Sequence, residues 1–398
     1  MRKKVAITGM GIISSIGNTV EENYNALVLG KKGISSIENF ETIHKEVIKV
    51  GEIKLTNQQL SEQLGISSDN NFSRTSLLGA IAAQQAVENA GIQDINDYRS
   101  GLISATSVGG MDMTEKYYYK YFENEAYQKY ITSHDAGDTT HKIATHIGLK
   151  GFVTTVSTAC SSAANAIMMG ARMIQSGQLD RVVVGGTDAL AKFTINGFKT
   201  LMILSDTYNQ PFDNNRKGLN LGEAAAFLVL ESEEIVQKEN RKVLAYVSGF
   251  GNANDAFHQT ASSENGEGAF LAMQKALKVA NLKPSDIDYI NAHGTATPNN
   301  DLSEGRAILR VFQENVPDFS STKAFTGHTL AAAAAIEAVY SVLALQHNIV
   351  FPNLNFETPM EEFDLVPQTT LKEKPISHVL SNSFGFGGNC STVLFSKS

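Results

Sequence analysis

The sequence predicts an α/β fold in which helices cover both faces of parallel sheets, and three observations support this prediction. Patterns typical of strands and helices alternate throughout the 398 residues, as they do in layered α/β proteins. A β-branched run at 153–158 leads into an Ala- and Ser-rich helical segment at 159–176, and an apolar run follows at 181–184. Such strand–helix–strand units form parallel sheets. A weaker copy of this pattern in the second half indicates an internal duplication.

The elements of the first half follow from local signals. Thr19, with Glu22 three residues later, forms a capping pattern that opens a helix, and Gly91 is a residue type that commonly ends one. We predict, in chain order, a strand at 5–8, a helix at 19–29, a helix at 73–90, a strand near 100–104, and a mixed segment of helix and loop outside the core at 114–133.

The second half repeats the pattern with different residues. We predict strands at 243–249 and 289–292, a short strand that ends near Ser321, and an Ala-rich helix at 330–345. Between them, Asp301 and Glu304 form a pattern that caps a helix. No Pro- or Ser-rich linker separates the two halves, which we place at 1–243 and 244–398, so we expect them to pack as one body.

Composition argues against several classes of protein. Hydrophobic residues make up 42% of the chain and charged residues 19%, as in globular proteins. The net charge of −8 is unlike that of nucleic-acid-binding proteins, which usually carry basic surfaces, so we expect no nucleic-acid partner. No apolar run reaches the ~18 residues that a membrane span needs. The apolar run after the basic start is broken too early for a signal peptide.

Cys160 is the first candidate catalytic residue. It stands where strand meets helix in the strand–helix–strand unit, and free backbone N–H groups and the helix dipole favour a thiolate at such a position. The alternative is a buried cysteine that acts as a small apolar residue, which is how we interpret Cys390. Two cysteines provide neither a disulfide framework nor a four-thiolate zinc site, and they favour a reducing cytoplasm.

Two histidines and a glycine-rich turn are the other candidates. His293 ends a strand and is followed by Gly-Thr-Ala-Thr-Pro, a pattern typical of a ligand-facing loop. His328 lies at a second strand-to-helix junction, five residues after Lys323, which alone would be read as a surface lysine. The segment 384–388, Phe-Gly-Phe-Gly-Gly, suits a mobile flap whose N–H groups approach a reacting atom. The alternative for this segment is an ordinary turn.

Together these segments resemble the β-ketoacyl-(acyl carrier protein) synthases I and II, condensing enzymes of the thiolase superfamily. The matching segments are, in chain order, the residues around Cys160, 211–223, 255–266, the residues around His293, 323–328 and 384–388. The likeness spans 4–395, and the ordered set is far more specific than any single motif. The resemblance implies a duplicated thiolase-like fold, which is a five-layered α-β-α-β-α sandwich with mixed sheets. It also implies a cytoplasmic homodimer, with a heterodimer as the alternative.

The resemblance further implies a role for each candidate. Cys160 would take an acyl group from a carrier-protein thioester, and His293 and His328 would stabilise the enolate formed from a malonyl thioester. Backbone N–H groups of Cys160 and Phe386 would form the oxyanion hole. The other implied roles are a Lys323 pair with Glu304, pantetheine contacts at Thr295 and Thr297, flap rings at Phe384 and Phe386, an acyl pocket at Val108 and Phe198, and a weak cation site at Asn291, Glu337, Ser381 and Asn382. No cofactor is implied beyond the phosphopantetheine that the acyl carrier protein brings.

One departure from the family concerns the carrier protein. Segment 67–78 offers only Arg74 where the family usually has several basic residues, so Lys192 and Lys199 are the substitutes we expect. The sparse patch raises a specialised polyene or polyketide pathway as the alternative to fatty-acid synthesis.

Three other functions are alternatives. A non-catalytic subunit that resembles a chain-length factor would normally lack the cysteine. A coenzyme A-dependent thiolase would need a second catalytic cysteine, for which the chain offers only Cys390. A nicotinamide-dependent dehydrogenase would need a third fingerprint glycine, and Ser14 occupies that position.

Overall fold

The computed structural model describes residues 3–67 and 69–398, so Arg2 of the basic start and Ser68 of segment 67–78 lie outside the described residues. The strands are β1 (Val5–Ser14), β2 (Ile34–Ser36), β3 (Lys49–Gly51), β4 (Ser100–Ala105), β5 (Phe152–Val156), β6 (Arg181–Asp188), β7 (Ala224–Ser232), β8 (Ala245–Asn254), β9 (Tyr289–Asn291), β10 (Asp318–Ser320), β11 (Ile349–Val350), β12 (Lys372–Glu373), β13 (His378–Gly385) and β14 (Asn389–Ser396). The helices are α1 (Val20–Val28), α2 (Asn57–Gln63), α3 (Arg74–Asn89), α4 (Met111–Tyr121), α5 (Gln128–Ile131), α6 (Ala136–His146), α7 (Ser162–Gln175), α8 (Lys192–Thr200), α9 (Glu233–Lys238), α10 (Glu267–Ala280), α11 (Pro298–Phe312), α12 (Lys323–Thr326) and α13 (Ala333–His347).

The main sheet consists of two halves with the same strand order. The first half runs β5-β4-β6-β7-β1 and the second runs β10-β9-β13-β14-β8. If the five strands of each half are numbered along the chain, their order across the half-sheet is the same in both halves: third, second, fourth, fifth and first. In each half the first three strands are parallel and the remaining pairings are antiparallel. Strands β1 and β8 join the halves through two residue pairs. This identical order is what an internal duplication predicts.

Helices complete five layers around these half-sheets. Helices α3 and α6 pack on the outer face of the first half-sheet, and α10 and α11 pack on the outer face of the second. Helices α7 and α13 lie between the half-sheets and contact strands of both. The layers are therefore α-β-α-β-α with mixed sheets, which confirms the predicted fold class.

Small residues allow the middle helices to approach the strands closely. A Cβ on Gly170 of α7 would come within 2.5 Å of Val184 Cγ1 in β6, so a larger residue would force the helix away. The segment Leu330–His347, which contains α13, is the one stretch among the described residues with the length and hydropathy of a membrane-spanning helix. However, 89% of it is buried within the fold, so it packs as a core helix.

Most predicted elements are confirmed, but three predicted helix starts are wrong. The helix predicted from 330 is a 3₁₀ turn up to Ala332 and becomes α-helical at Ala333. Segment 114–133 is helix and loop, as expected, with most of its residues at least partly exposed. The helix predicted from 159 begins only at Ser162. The helix predicted to be capped near 301–304 already begins at Pro298, a residue that suits a first helical position because it has no N–H to leave unpaired.

Candidate active site

A cavity of about 280 Å³ brings Cys160 of the first half together with His293 and His328 of the second. The predicted site residues that line it are Cys160, Phe198, His293, Thr295, Thr297, His328, Phe384 and Phe386. Among the other residues that line it, His258 and Cys390 also have side chains that can titrate. His258 lies in segment 255–266, which the resemblance matched, although its own type and surroundings are those of a solvated histidine; nothing in the sequence marked Cys390 as a site residue.

Cys160 lies in a tight turn between β5 and α7. Ala159, just before it, has a left-handed conformation with φ of 52°, which is uncommon and strained for a residue other than glycine. Hydrogen bonds stabilise the turn: Ser161 N donates to Thr158 O at 3.4 Å, and Ser162 N donates to Ala159 O at 3.1 Å. Cys160 therefore precedes the helix by two residues, on a turn that directs it into the cavity.

Burial raises the pKa of the Cys160 thiol to about 11, while the charge of Lys323 and the N–H groups of Phe386 and of Cys160 itself act in the opposite direction. The side chain is only 6% exposed, so the loss of hydration outweighs these favourable contacts. The position near a helix start therefore does not by itself give a thiolate: with a pKa of about 11, the resting thiol is neutral near pH 7. The two N–H groups nevertheless lie at the sulfur, where the resemblance implied an oxyanion hole.

Alkylation of Cys160 by iodoacetamide is therefore expected to accelerate about tenfold per pH unit between about pH 7 and pH 9, because the thiolate fraction grows in that proportion below the thiol pKa. The measurement is the rate of mass gain of a Cys390→Ser variant, in which Cys160 is the remaining thiol. A rate that levels off near neutral pH would show instead that the resting sulfur is a thiolate.

The two histidine rings lie next to each other in the cavity wall. The His293 and His328 ring centroids lie 5.3 Å apart, with the rings nearly perpendicular. Burial holds both pKa values well below 6.5, and the positive charge of Lys323 lowers them further. Each ring is therefore neutral at neutral pH and carries one N–H donor and one acceptor nitrogen. In the described part of the chain, Nδ1 of each ring has no hydrogen-bond partner.

Glu304 orients the His293 turn and does not pair with Lys323. Its carboxylate accepts hydrogen bonds from His293 N at 2.9 Å, from Gly294 N at 2.8 Å and from Asn382 Nδ2 at 3.1 Å. Burial nevertheless raises the pKa of Glu304 to about 7. The predicted Lys323–Glu304 pair is wrong because Glu304 points at the backbone of the histidine turn.

Lys323 instead forms a buried ion pair with Glu337 of α13. Both side chains are 1% exposed. Burial raises the pKa of Glu337 to about 7, although the Lys323 charge opposes this rise. Lys323 thus supplies a positive charge that acts on the thiol and on both imidazoles without lining the cavity.

Thr295 and Thr297 line the cavity between His293 and helix α11. Their hydroxyl groups are hydrogen-bonded to each other at 2.9 Å. Ala296 between them has a φ of 65°, and its N–H donates to Asp301 Oδ1 at 3.1 Å. Asp301 also accepts from Phe212 N at 2.7 Å, so it fixes the loop rather than capping a helix.

The flap segment, 384–388, lines the cavity with all five of its residues. The Phe386 ring stacks on Phe198, with ring centroids 5.8 Å apart. Gly387 and Gly388 have φ of 81° and 80°, values that favour glycine. Two backbone hydrogen bonds of 2.8 Å connect the flap to the neighbouring segment 255–259. Gly387 N donates to Gln259 O, and Asp255 N donates to Gly388 O.

Comparison with known proteins agrees with this geometry. The family model described as "Beta-ketoacyl synthase, N-terminal domain" matches residues 2–235, and the one described as "Beta-ketoacyl synthase, C-terminal domain" matches residues 244–357. The chain belongs to the β-ketoacyl synthase family. It is 33% identical to a 3-oxoacyl-(acyl-carrier-protein) synthase 2 of Staphylococcus aureus, over 99% of this chain and 98% of that protein.

Solved structures of ketosynthases share the whole fold of this β-ketoacyl synthase. The ishigamide ketosynthase/chain length factor matches with a TM-score of 0.93 at 29% identity, and the match covers 100% of both chains. A type II PKS acyl-carrier protein in complex with its ketosynthase bound to the hexaketide matches with a TM-score of 0.90 at 27% identity, again over 100% of both chains.

Val108 of this β-ketoacyl synthase lies behind the cavity rather than on its wall. It belongs to an apolar cluster with Leu219, against which Phe198 packs. The buried carboxylate of Asp188 holds its loop by accepting from Thr106 Oγ1 at 2.6 Å and from Val108 N at 3.1 Å. Asp188 also accepts from Ala331 N at 2.8 Å, in the turn after His328. Sequence gave only a weak signal for Asp188, an acidic residue that ends an apolar strand.

The residues predicted to form a cation site do not fit one. Glu337 is neutralised by Lys323, and Asn382 presents Nδ2 to Glu304 and accepts from Thr392 through Oδ1. Among the described residues, Asn291 Oδ1 is the only side-chain oxygen of this set that is buried without a hydrogen-bond partner. Ser381, on the neighbouring strand β13, is the remaining member of the set. A cation prefers several oxygen ligands, so we assign no cation here.

Arg74 is not available to a carrier protein. Its guanidinium group pairs with Glu223, with Nη2 2.6 Å from Oε1, and donates to the backbone oxygens of Ile53 and Leu55. Burial acts to lower the pKa of Arg74, but the negative charge of Glu223 and its hydrogen bond outweigh this effect, so the pKa is raised. Arg74, the one basic residue in the sequence of segment 67–78, therefore has a structural role.

Proposed function

We propose that this protein is a β-ketoacyl-ACP synthase, which transfers an acyl group to Cys160 and joins it to the malonyl group of malonyl-ACP with loss of carbon dioxide. The observation that carries this proposal is one cavity with a buried thiol and two neutral imidazoles from the other half of the chain. The likeness to a 3-oxoacyl-(acyl-carrier-protein) synthase 2 over nearly the whole chain supports the same activity.

Acyl transfer forms a thioester on Cys160. The sulfur attacks the carbonyl carbon of the incoming thioester, and the negative oxygen accepts hydrogen bonds from the N–H groups of Cys160 and Phe386. The bond between the carbonyl carbon and the pantetheine sulfur then breaks. Because the Cys160 thiol has a pKa of about 11, it loses its proton during the attack, and this proton ends on the departing pantetheine sulfur.

Condensation uses the two imidazoles as hydrogen-bond donors. The bond between the malonyl carboxylate and C2 breaks, carbon dioxide leaves, and the electron pair forms an enolate. N–H groups of His293 and His328 hold the enolate oxygen. C2 then attacks the thioester carbonyl on Cys160, and the cysteine sulfur leaves and takes up a proton. Neutral rings suit this role because each keeps one N–H donor.

The acyl carrier protein is the proposed partner, and it brings the phosphopantetheine arm. The hydroxyl groups of Thr295 and Thr297, which line the cavity, are suited to hydrogen-bond this arm. Lys192 is exposed and Lys199 is half-buried, at the two ends of α8, whose Phe198 lines the cavity. We therefore propose α8 as the basic contact for the carrier. Fatty-acid synthesis and a polyene or polyketide pathway are both compatible with this site.

We further propose that the enzyme acts in the cytoplasm as a dimer. A homodimer is the first choice, and a heterodimer with a subunit that resembles a chain-length factor is the alternative, which the likeness to the ishigamide ketosynthase/chain length factor supports. Tyr118 and Tyr119 of α4 and Phe122 just after it are exposed and form an aromatic surface suited to such a partner.

A coenzyme A-dependent thiolase is the second candidate, because Cys390 lines the cavity. A thiolase would use this second thiol to move a proton. Burial raises the pKa of Cys390 to about 12, and the nearby carboxylates of Asp255 and Glu304 raise it further, so it holds its proton too tightly to serve as an acid–base group near neutral pH. We therefore favour the decarboxylating enzyme.

The deciding experiment uses radiolabelled malonyl-ACP with an acyl-ACP donor. Wild-type enzyme and a Cys390→Ser variant are expected to form the labelled β-ketoacyl product, and a Cys160→Ala variant is expected to form none. Mass spectrometry after acyl-ACP treatment should find one acyl group, on Cys160. An acyl group on Cys390 alone, or loss of product in the Cys390→Ser variant, would contradict the proposal and favour a thiolase.

A further inference from the structure

A cluster of polar side chains joins the flap to the turn that carries Cys160. Asn389 follows the flap directly, and its Oδ1 accepts hydrogen bonds from Ser161 Oγ at 2.8 Å, Asn165 Nδ2 at 2.9 Å and Asn252 Nδ2 at 2.9 Å. Ser161 is the residue after Cys160, and Asn165 lies in the first turn of α7. One amide oxygen therefore contacts the nucleophile turn, the helix behind it and strand β8.

The flap also touches this turn at its other end. A Cβ on Gly385 would lie 2.8 Å from Thr158 O and 3.2 Å from Cys160 N, so the glycine allows the two backbones to pack directly. Gly385 and Asn389 thus attach both ends of the flap to the nucleophile turn. The two hydrogen bonds between the flap and 255–259 lead only to a neighbouring loop.

We propose that Asn389 is a positioning residue that sets the distance between the Phe386 N–H and the Cys160 N–H. This inference rests on the proposed function, in which these two groups form the oxyanion hole. They come from segments far apart in the sequence, so their relative position depends on contacts between flap and turn. An oxyanion hole works only when both donors are held in place before the reaction.

A neutral amide suits this position better than a carboxylate. A carboxylate at 389 would accept the same hydrogen bonds, but its charge would lie beside the nucleophile turn. The buried charge of Asp188 already raises the pKa of Cys160, and a second negative charge would raise it further. An Asn389→Asp variant therefore keeps the attachment of the flap and changes the charge alone.

The test compares Asn389→Ala, Asn389→Asp and a matched control, Asn252→Ala, which removes an amide from the same cluster but leaves the Ser161–Asn389 contact. For Asn389→Ala we expect Cys160 acylation at saturating acyl-ACP to slow about 10- to 100-fold with KM within about threefold, because small displacements of catalytic groups have effects of this size. Alkylation by iodoacetamide, which needs no oxyanion hole, should change less than about threefold. The control should acylate at nearly the normal rate, with a similar loss of Tm.

Hydrogen exchange of the flap provides a second readout that does not depend on activity. Asn389→Ala should increase amide exchange in a peptide covering 385–388, whereas Asn252→Ala and Asn389→Asp should not. Asn389→Asp should also shift the pH dependence of Cys160 alkylation to higher pH. The inference is overturned if Asn252→Ala slows acylation as much as Asn389→Ala does, or if flap exchange is the same in both.

The proposed function and this inference fail in different ways. A wild-type enzyme that becomes acylated but forms no β-ketoacyl product would refute the proposed condensation, and the acylation rates of the variants would still decide the role of Asn389. If the wild-type enzyme is not acylated, the exchange comparison alone decides whether Asn389 holds the flap.

Discussion

Replacing His293 by alanine is expected to slow condensation at least about 100-fold while acylation of Cys160 stays within about tenfold of normal, which is the pattern for a group needed in one step only. The two steps develop negative charge on different oxygens. In acylation the oxygen is held by the N–H groups of Cys160 and Phe386, whereas the malonyl enolate depends on the two imidazoles. Because the rings lie 5.3 Å apart, one cannot replace the donor that the other loses.

Acylation is measured by intact mass after mixing with acyl-ACP, and condensation by the mass of the β-ketoacyl-ACP formed. His328→Ala should show the same selective loss. His258→Ala is the matched control, because His258 lines the same cavity but is exposed, and both of its rates should be nearly normal. If His293→Ala slowed both steps equally, the proposed division between oxyanion hole and imidazoles would be wrong.

The location of the site could be predicted because it follows from strand order. His293 follows β9 and His328 follows β10, the second and third strands of their half, while Cys160 follows β5, the third strand of the first half. Carboxyl ends of parallel strands share one edge of a sheet, where ligand sites of α/β folds usually form. The family resemblance of the ordered motifs therefore indicated which residues meet, although Cys160 lies more than 130 positions before the two histidines.

The charges of the site could not be predicted, because they depend on burial and on long-range packing. Lys323 has two glutamates within reach of its loop, Glu304 in α11 and Glu337 in α13, and no local pattern tells which one faces it. The thiol of Cys160 stands near a helix start, which favours a thiolate, but the flap and the middle helices bury it and the cost of lost hydration prevails.

Replacing Lys323 by methionine is expected to lower the free energy of unfolding by about 3–5 kcal/mol near pH 8, because it leaves Glu337 buried without its cation. The loss should be smaller near pH 5. The pKa of Glu337 in the folded protein is about 7, above its ordinary value of 4.5. A group with a raised pKa stabilises the fold fully below 4.5, and this contribution is lost as the pH rises through 7. Without the opposing Lys323 charge, the pKa rises further and the loss grows with pH.

A Lys323→Met/Glu337→Gln double variant separates this charge effect from lost packing. It removes both charges and should recover most of the stability near pH 8, as measured by urea unfolding at both pH values. It should not recover the activity profile. The Lys323 charge lowers the pKa of His293 and His328, so without it both rings protonate at higher pH and activity falls sooner as the solution is acidified. Equal stability losses near pH 5 and pH 8, or no recovery in the double variant, would contradict a buried Lys323–Glu337 pair.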